Sequence, residues 1–166
     1  MIDGFALASS LVERWASLYA DSSGIETAVS FVHIGGLVFA GGLAIATDRS
    51  TLRARTLAPT LRAHVLDEIH RVHRPVLIGL AMTMLSGMLL LFADTDAMLG
   101  SVVFWVKMAL VALLAANGAW LTRIEMGLRA GRLEPATGWR RLRRAAQASI
   151  TLWFLIVLLG SALLNS

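Results

Sequence analysis

The sequence predicts an all-α fold: an integral membrane four-helix bundle preceded by an N-terminal interfacial amphipathic helix. Composition, four long apolar runs and the placement of arginine carry that prediction. Of the 166 residues 57% are hydrophobic and only 16% charged, with a mean hydropathy of +0.69. Soluble domains run at about 45–50% apolar and about 25% charged, so the usual balance is inverted. A hydrocarbon core of about 30 Å takes roughly 20 apolar residues per helix, and residues 26–47, 75–92, 101–122 and 145–164 each meet that test. What remains is too short for a second core. Residues 25–166 therefore read as one bundle and residues 1–24 as an N-terminal helix with its linker.

Before the first span, Phe5, Leu11, Val12, Trp15, Leu18 and Tyr19 form one helical stripe that ends at the breaker "DSSG". Such a helix would lie in the head-group layer or pack against the mouth of the bundle. The opening residues lack a basic n-region and a continuous apolar core, so the first span is expected to act as its own insertion signal.

Arginine sets the expected topology. The connection after the first span carries Arg49, Arg53, Arg55, Arg62, Arg71 and Arg74. The connection after the third carries Arg123, Arg129, Arg132, Arg140, Arg141, Arg143 and Arg144, whereas the short link "ADTDAMLG" holds Asp94 and Asp96 and no base. By the positive-inside rule both Arg-rich connections are cytoplasmic and both termini face outward. The sequence pI near 11 thus reflects residues beside membrane ends, which orient helices and attract anionic lipid. The expected partner is the lipid bilayer, and nucleic acid is not. The chain has no cysteine, which excludes disulfides, thiolate metal sites, iron–sulfur clusters and covalently attached haem.

Two basic residues lie outside the Arg-rich connections: Arg14, and Lys107 within the third span. An ionisable group at membrane depth costs a few kcal/mol and calls for a partner or a function. His33 in the first span and Lys107 in the third both sit roughly 10 Å below the outer ends of their helices at 1.5 Å per residue. Counting back along the other two spans brings Thr83, Ser86 and Gly87, with Trp153 and Phe154, to a similar or slightly greater depth. An imidazole, an ammonium, small residues and aromatics in one layer suit a flat, mostly apolar cofactor with acidic edges. Haem b answers that description: His33 would ligate the iron, and Lys107 would be the second ligand or pair with a propionate. Gly36 and Ala40, on the same face as His33, would admit the ring. The other reading of His33 is a hydrogen bond to a neighbouring helix; for Lys107 it is a side chain reaching back to water. Asn117 is expected to make an interhelical hydrogen bond.

The stretch "HVLDEIHRVH" spaces His64, Asp67, His70 and His73 by threes. Each step of three slips about 60° round a helix, so all four cannot converge. A metal site of His70 and His73, completed from elsewhere, is the most it offers, and a solvated helical face is the alternative. Pro75 reads as the first-turn proline of the second span.

"FVHIGGLVFAGGLAIATD" followed two spans later by "SVVFWVKMALVALLAANG" resembles the small four-helix bacterial membrane proteins grouped with the CopD-like copper-resistance domain and HemJ-type protoporphyrinogen oxidase. The likeness rests on the first-span histidine with its glycine pairs and on the third-span aromatic, Phe104 or Trp105, leading to Lys107. It implies a bacterial inner membrane and a functional pair, His33 and Lys107, associated with haem or porphyrin. Met82, Met84, Met88 and Met108 are scattered rather than arranged as a copper cluster. The leading expectation is a b-type haem protein in electron transfer with a quinone or other redox partner. The alternatives are a non-catalytic accessory subunit of a larger respiratory or photosynthetic complex, and a HemJ-like oxidase or CopD-like copper protein.

Overall fold

The computed structural model describes residues 2–54 and 57–163, with the side chains of residues 2–8 set aside. Arg55 and the expected end of the fourth span at 164 lie outside the described residues, as does the side chain of Phe5. The chain is helical almost throughout, and no strand occurs among the described residues: α1 Ile2–Asp21, α2 Ser23–Arg53, α3 Pro59–Ala93, α4 Thr95–Gly100, α5 Val102–Arg129 and α6 Pro135–Leu163. Four of these, α2, α3, α5 and α6, are long and apolar enough to cross a membrane. At 28 to 35 residues, or roughly 42 to 53 Å, they overrun a hydrocarbon core.

Local chemistry marks the helix ends. The Ser22 hydroxyl accepts from the Ile25 N–H at the start of α2, and Ser101 does the same for Phe104 at the start of α5. Asp94 accepts from Ala97 and so starts α4 inside the short acidic link. Each satisfies one of the orphan donors of a first turn. Gly131, at φ 65°, ends α5 in the left-handed conformation that glycine adopts at no steric cost. Leu133 then folds back on Gly127, leaving no room for a side chain there.

The expected boundary of the second span is corrected. Pro59 is the first-turn proline, and Pro75 lies inside an unbroken α3. The histidine-bearing stretch and the apolar stretch are one helix because Val65 and Ile69, four apart, are buried against the rest of the protein. Packing there outweighs the hydrogen bond lost at Pro75.

The bundle is two helix pairs, α2 with α3 and α5 with α6, joined mainly along α2 and α6. α3 meets α5 only sparingly. One apolar core lies at the Arg-rich end, built on Val65, Ile69, Ile124, Trp139 and Leu142. A second lies mid-bundle on Ala40, Leu114, Trp153 and Ile156. α1 packs on α3 and α2, with the Trp15 indole N–H donating to the Leu89 carbonyl at 2.8 Å. Its expected stripe divides: Val12, Trp15 and Tyr19 are half-buried, whereas Leu11 and Leu18 stay 58% and 56% exposed.

Candidate functional site

The α2–α3 contact is close because small residues oppose one another along it. A Cβ on Gly36 would lie 2.6 Å from Thr83 Oγ1 and 3.0 Å from the Gly79 carbonyl oxygen; one on Gly79 would lie 2.9 Å from Ala40 Cβ. Each step of one turn down α2 is matched by one back along α3, the antiparallel register of a small-residue seam. One turn nearer the acidic link, the same register sets His33 opposite Ser86 and Gly87. The His33 Nδ1 lies 3.0 Å from the Thr83 carbonyl oxygen and 3.2 Å from Ser86 Oγ. Gly87 is bare beneath the ring, where a Cβ would stand 3.1 Å from Cε1.

That geometry fixes the tautomer. A carbonyl oxygen only accepts, so Nδ1 carries the proton and donates to Thr83. The Ser86 hydroxyl donates to the Met82 and Thr83 carbonyls at 2.7 and 3.1 Å, which leaves its oxygen to accept from Nδ1. In the neutral ring Nε2 then keeps its lone pair, and no hydrogen bond to it occurs among the described residues. An N–H to backbone carbonyl bond of this kind is how metal-ligating histidines are oriented.

Lys107 lies against Gly160 of α6, whose Cβ would meet Nζ at 3.6 Å. Its level can be compared with His33 through α6. A Cβ on Gly41 of α2 would stand 3.1 Å from the Trp153 ring; about two turns nearer the acidic link along the antiparallel pair, His33 comes level with Gly160 and Ser161. Lys107 is also within electrostatic range of the imidazole. The depth match expected from counting residues is therefore present, and Gly160, which that counting did not pick out, is the surface on which the lysine rests. Neither apolar core reaches this layer.

Other expected site residues stand elsewhere. Gly36 and Ala40 do not form a slot, because α3 fills the face they share. Trp153 belongs to the mid-bundle core, about two turns below His33. Trp105 is 57% exposed and donates its indole N–H to the Leu99 carbonyl at 3.0 Å, so it points away from the bundle. Phe104, three residues before Lys107 and on its face, is the buried aromatic. The metal expectation for His70 and His73 is not met: no three His, Asp or Glu side chains gather to hold a metal among the described residues. His70 instead faces Glu125 at 3.9 Å, and His64 bonds to the carbonyl one turn back in its own helix. Asn117 makes the expected interhelical bond, donating to the Ala145 carbonyl at 2.9 Å.

Two buried acids were missed. Glu125, 2% exposed, pairs with Arg129 at 3.4 Å, and Arg129 in turn reaches Asp67 of α3 at 2.8 Å. Asp48, 4% exposed, is bonded by Ser149 of α6 through one oxygen and has no partner for the other. Both sit beside arginines in sequence and read there as surface charge; only the facing helices bury them.

Comparison with models of known families, with curated proteins and with solved structures finds no match for this chain.

Proposed function

We propose that this chain is a four-span protein of a bacterial inner membrane, with the Arg-rich ends cytoplasmic and both termini periplasmic, and that it carries b-type haem on His33. The observation that carries the reading is the Nδ1–H bond to the Thr83 carbonyl, which leaves Nε2 as a lone-pair donor on a histidine inside an apolar helix. The donor set fits the group. Imidazole nitrogen is an ordinary haem ligand, Gly87 and Gly160 keep the flanking helix faces bare, and Lys107 supplies either a second nitrogen or a cation for a propionate. With α2 and α3 packed tightly, a macrocycle would enter from the α5 side, where the pairs meet loosely. When bound, the group would supply one-electron chemistry; the protein orients its ligand, excludes water and, by the outer position of the layer, sets the side from which a donor approaches and passes electrons to a quinone or protein acceptor.

The test is the visible spectrum of protein purified from haem-replete cells. A Soret band that is lost in His33→Ala and shifted in Lys107→Gln is expected. Absence of the band in the wild type, or an unchanged band in His33→Ala, refutes the reading.

The exposed Leu11 and Leu18 on α1 support a second reading, an accessory subunit of a larger respiratory or photosynthetic complex. Purification in mild detergent would then recover fixed companions, lost on replacing both leucines with serine. Recovery of a lone chain would dismiss it.

A further inference from the structure

A second feature, remote from His33, lies at the Arg-rich end between α2 and α6. Arg143 and Arg144 lie three and four residues after Arg140, and Gln147 lies four and three after them, so the four share one stripe of α6. With Leu52 of α2 they line a hollow of about 370 Å³. Guanidiniums three and four residues apart repel each other, and the lining contains no carboxylate. Among the described residues no acid lies within ion-pair distance of any of the three. Glu134 acts on Arg140 from a distance, but its oxygens are taken by the first turn of α6. Asp48, one turn before Leu52, bonds Ser149 through one oxygen and leaves the other unpaired, but it does not line the hollow.

We propose that this hollow binds the phosphodiester of one anionic lipid head group. The planar forks of arginine match phosphate oxygens in pairs, and Gln147 adds an amide donor. Position selects the lipid as the source of the phosphate. The apolar run of α6 begins at Ala145, directly after Arg144, so in a bilayer the three guanidiniums stand at the phosphate layer. Leu52 gives an apolar wall for the glycerol end, and basic pockets between helices at this level are where anionic head groups lodge.

Native mass spectrometry and thermal unfolding of the full-length protein in neutral detergent test this with three additives: phosphatidylglycerol, phosphatidylcholine and inorganic phosphate. Phosphatidylglycerol is expected to stay bound and raise the melting temperature, with the other two doing neither. Replacing Arg140, Arg143 and Arg144 by Gln should weaken the lipid roughly fivefold for each guanidinium removed. Arg132→Gln, at the same end but outside the hollow, should not. If the triple variant fails to fold, Arg143→Gln alone is read for its single roughly fivefold step. Equal retention of phosphatidylcholine, or full affinity in the arginine variants, overturns the proposal. Stabilisation by inorganic phosphate alone also overturns it, in favour of a soluble anion.

Discussion

The two ends of the bundle are built on opposite plans. At the Arg-rich end, Leu142, Ala145 and Ala146 are fully buried, and Arg62 lies over the Trp139 ring at 5.9 Å. The Asp67–Arg129–Glu125 ion pairs tie α3 to α5 there. At the end bearing the acidic link neither apolar core extends, and His33, Ser86, Lys107 and bare glycine face inward beside the buried Val29 and Phe104. One end is closed by an apolar core and holds its buried acids, Glu125 and Asp48, with Arg129 and Ser149, whereas the other sets its polar groups beside bare glycine. Stability and chemistry are thereby separated along the helix axes, and substitutions at the two ends should fail in different ways.

The largest effect is expected from Leu142→Ala. The side chain is fully enclosed by Val65, Ile69, Ile124 and Trp139, and a Leu→Ala cavity costs about 2–5 kcal/mol. Tryptophan fluorescence during detergent unfolding should show that loss while any Soret band of the folded fraction keeps its position. A shifted band would mean that the two ends are coupled. Next comes Gly36→Val in the seam between the cores and His33. Its Cβ would press on Thr83 and on the Gly79 carbonyl, and overpacking of this kind costs about 1–3 kcal/mol. Because the same push moves Thr83, this variant should also loosen the imidazole, seen as a broadened His33 ring resonance.

These two residues also mark how far the sequence could be read. The four long helices were legible because an apolar run of that length has few other uses. The continuity of α3 through Pro75 was not, since a proline after an Arg- and His-rich stretch reads as a helix start, and only the packing of Val65 and Ile69 against α5 and α6 holds the two stretches as one. Depth was legible for His33, Ser86, Gly87 and Lys107, because rise per residue is a constant of the helix. Azimuth was not. Trp105 and Trp153 pass or nearly pass a depth test, yet one turns outward and the other packs beneath Gly41. Gly36 and Ala40 read as room for a ligand, but small residues serve close helix approach equally well, and α3 took the space.

His33→Ala is the converse of Leu142→Ala. Interhelical hydrogen bonds among membrane helices average about 0.6 kcal/mol and reach about 1.7, so the fold should survive with a small loss. The spectral signature should vanish entirely. His33→Gln, which can keep a hydrogen bond to Thr83 but offers no imidazole nitrogen, should restore most of the stability and none of the spectrum. A variant that lost both in proportion would show that the end bearing the acidic link is structural after all.

The smallest expected effect tests whether helix ends add anything beyond packing at the Arg-rich end. The Glu134 carboxylate accepts from the Thr137 and Ala136 N–H groups at 2.7 and 2.9 Å, at the start of α6. Bonding to Thr137, chiefly, then to Ala136, holds its pKa below the usual carboxylate range, because those donors favour the charged form. A depressed folded pKa means that the contribution is complete above the unfolded carboxylate range and disappears as pH falls through the folded value. Glu134→Gln keeps an acceptor but has no charge to lose. Wild type should melt slightly higher than the variant at neutral pH, and the two curves should converge in acid. The gap should also shrink in high salt, since the group is fully exposed. Parallel curves at every pH would mean that α6 is started by the burial of Gly138, Trp139 and Leu142 alone, and that order at this end comes wholly from its core.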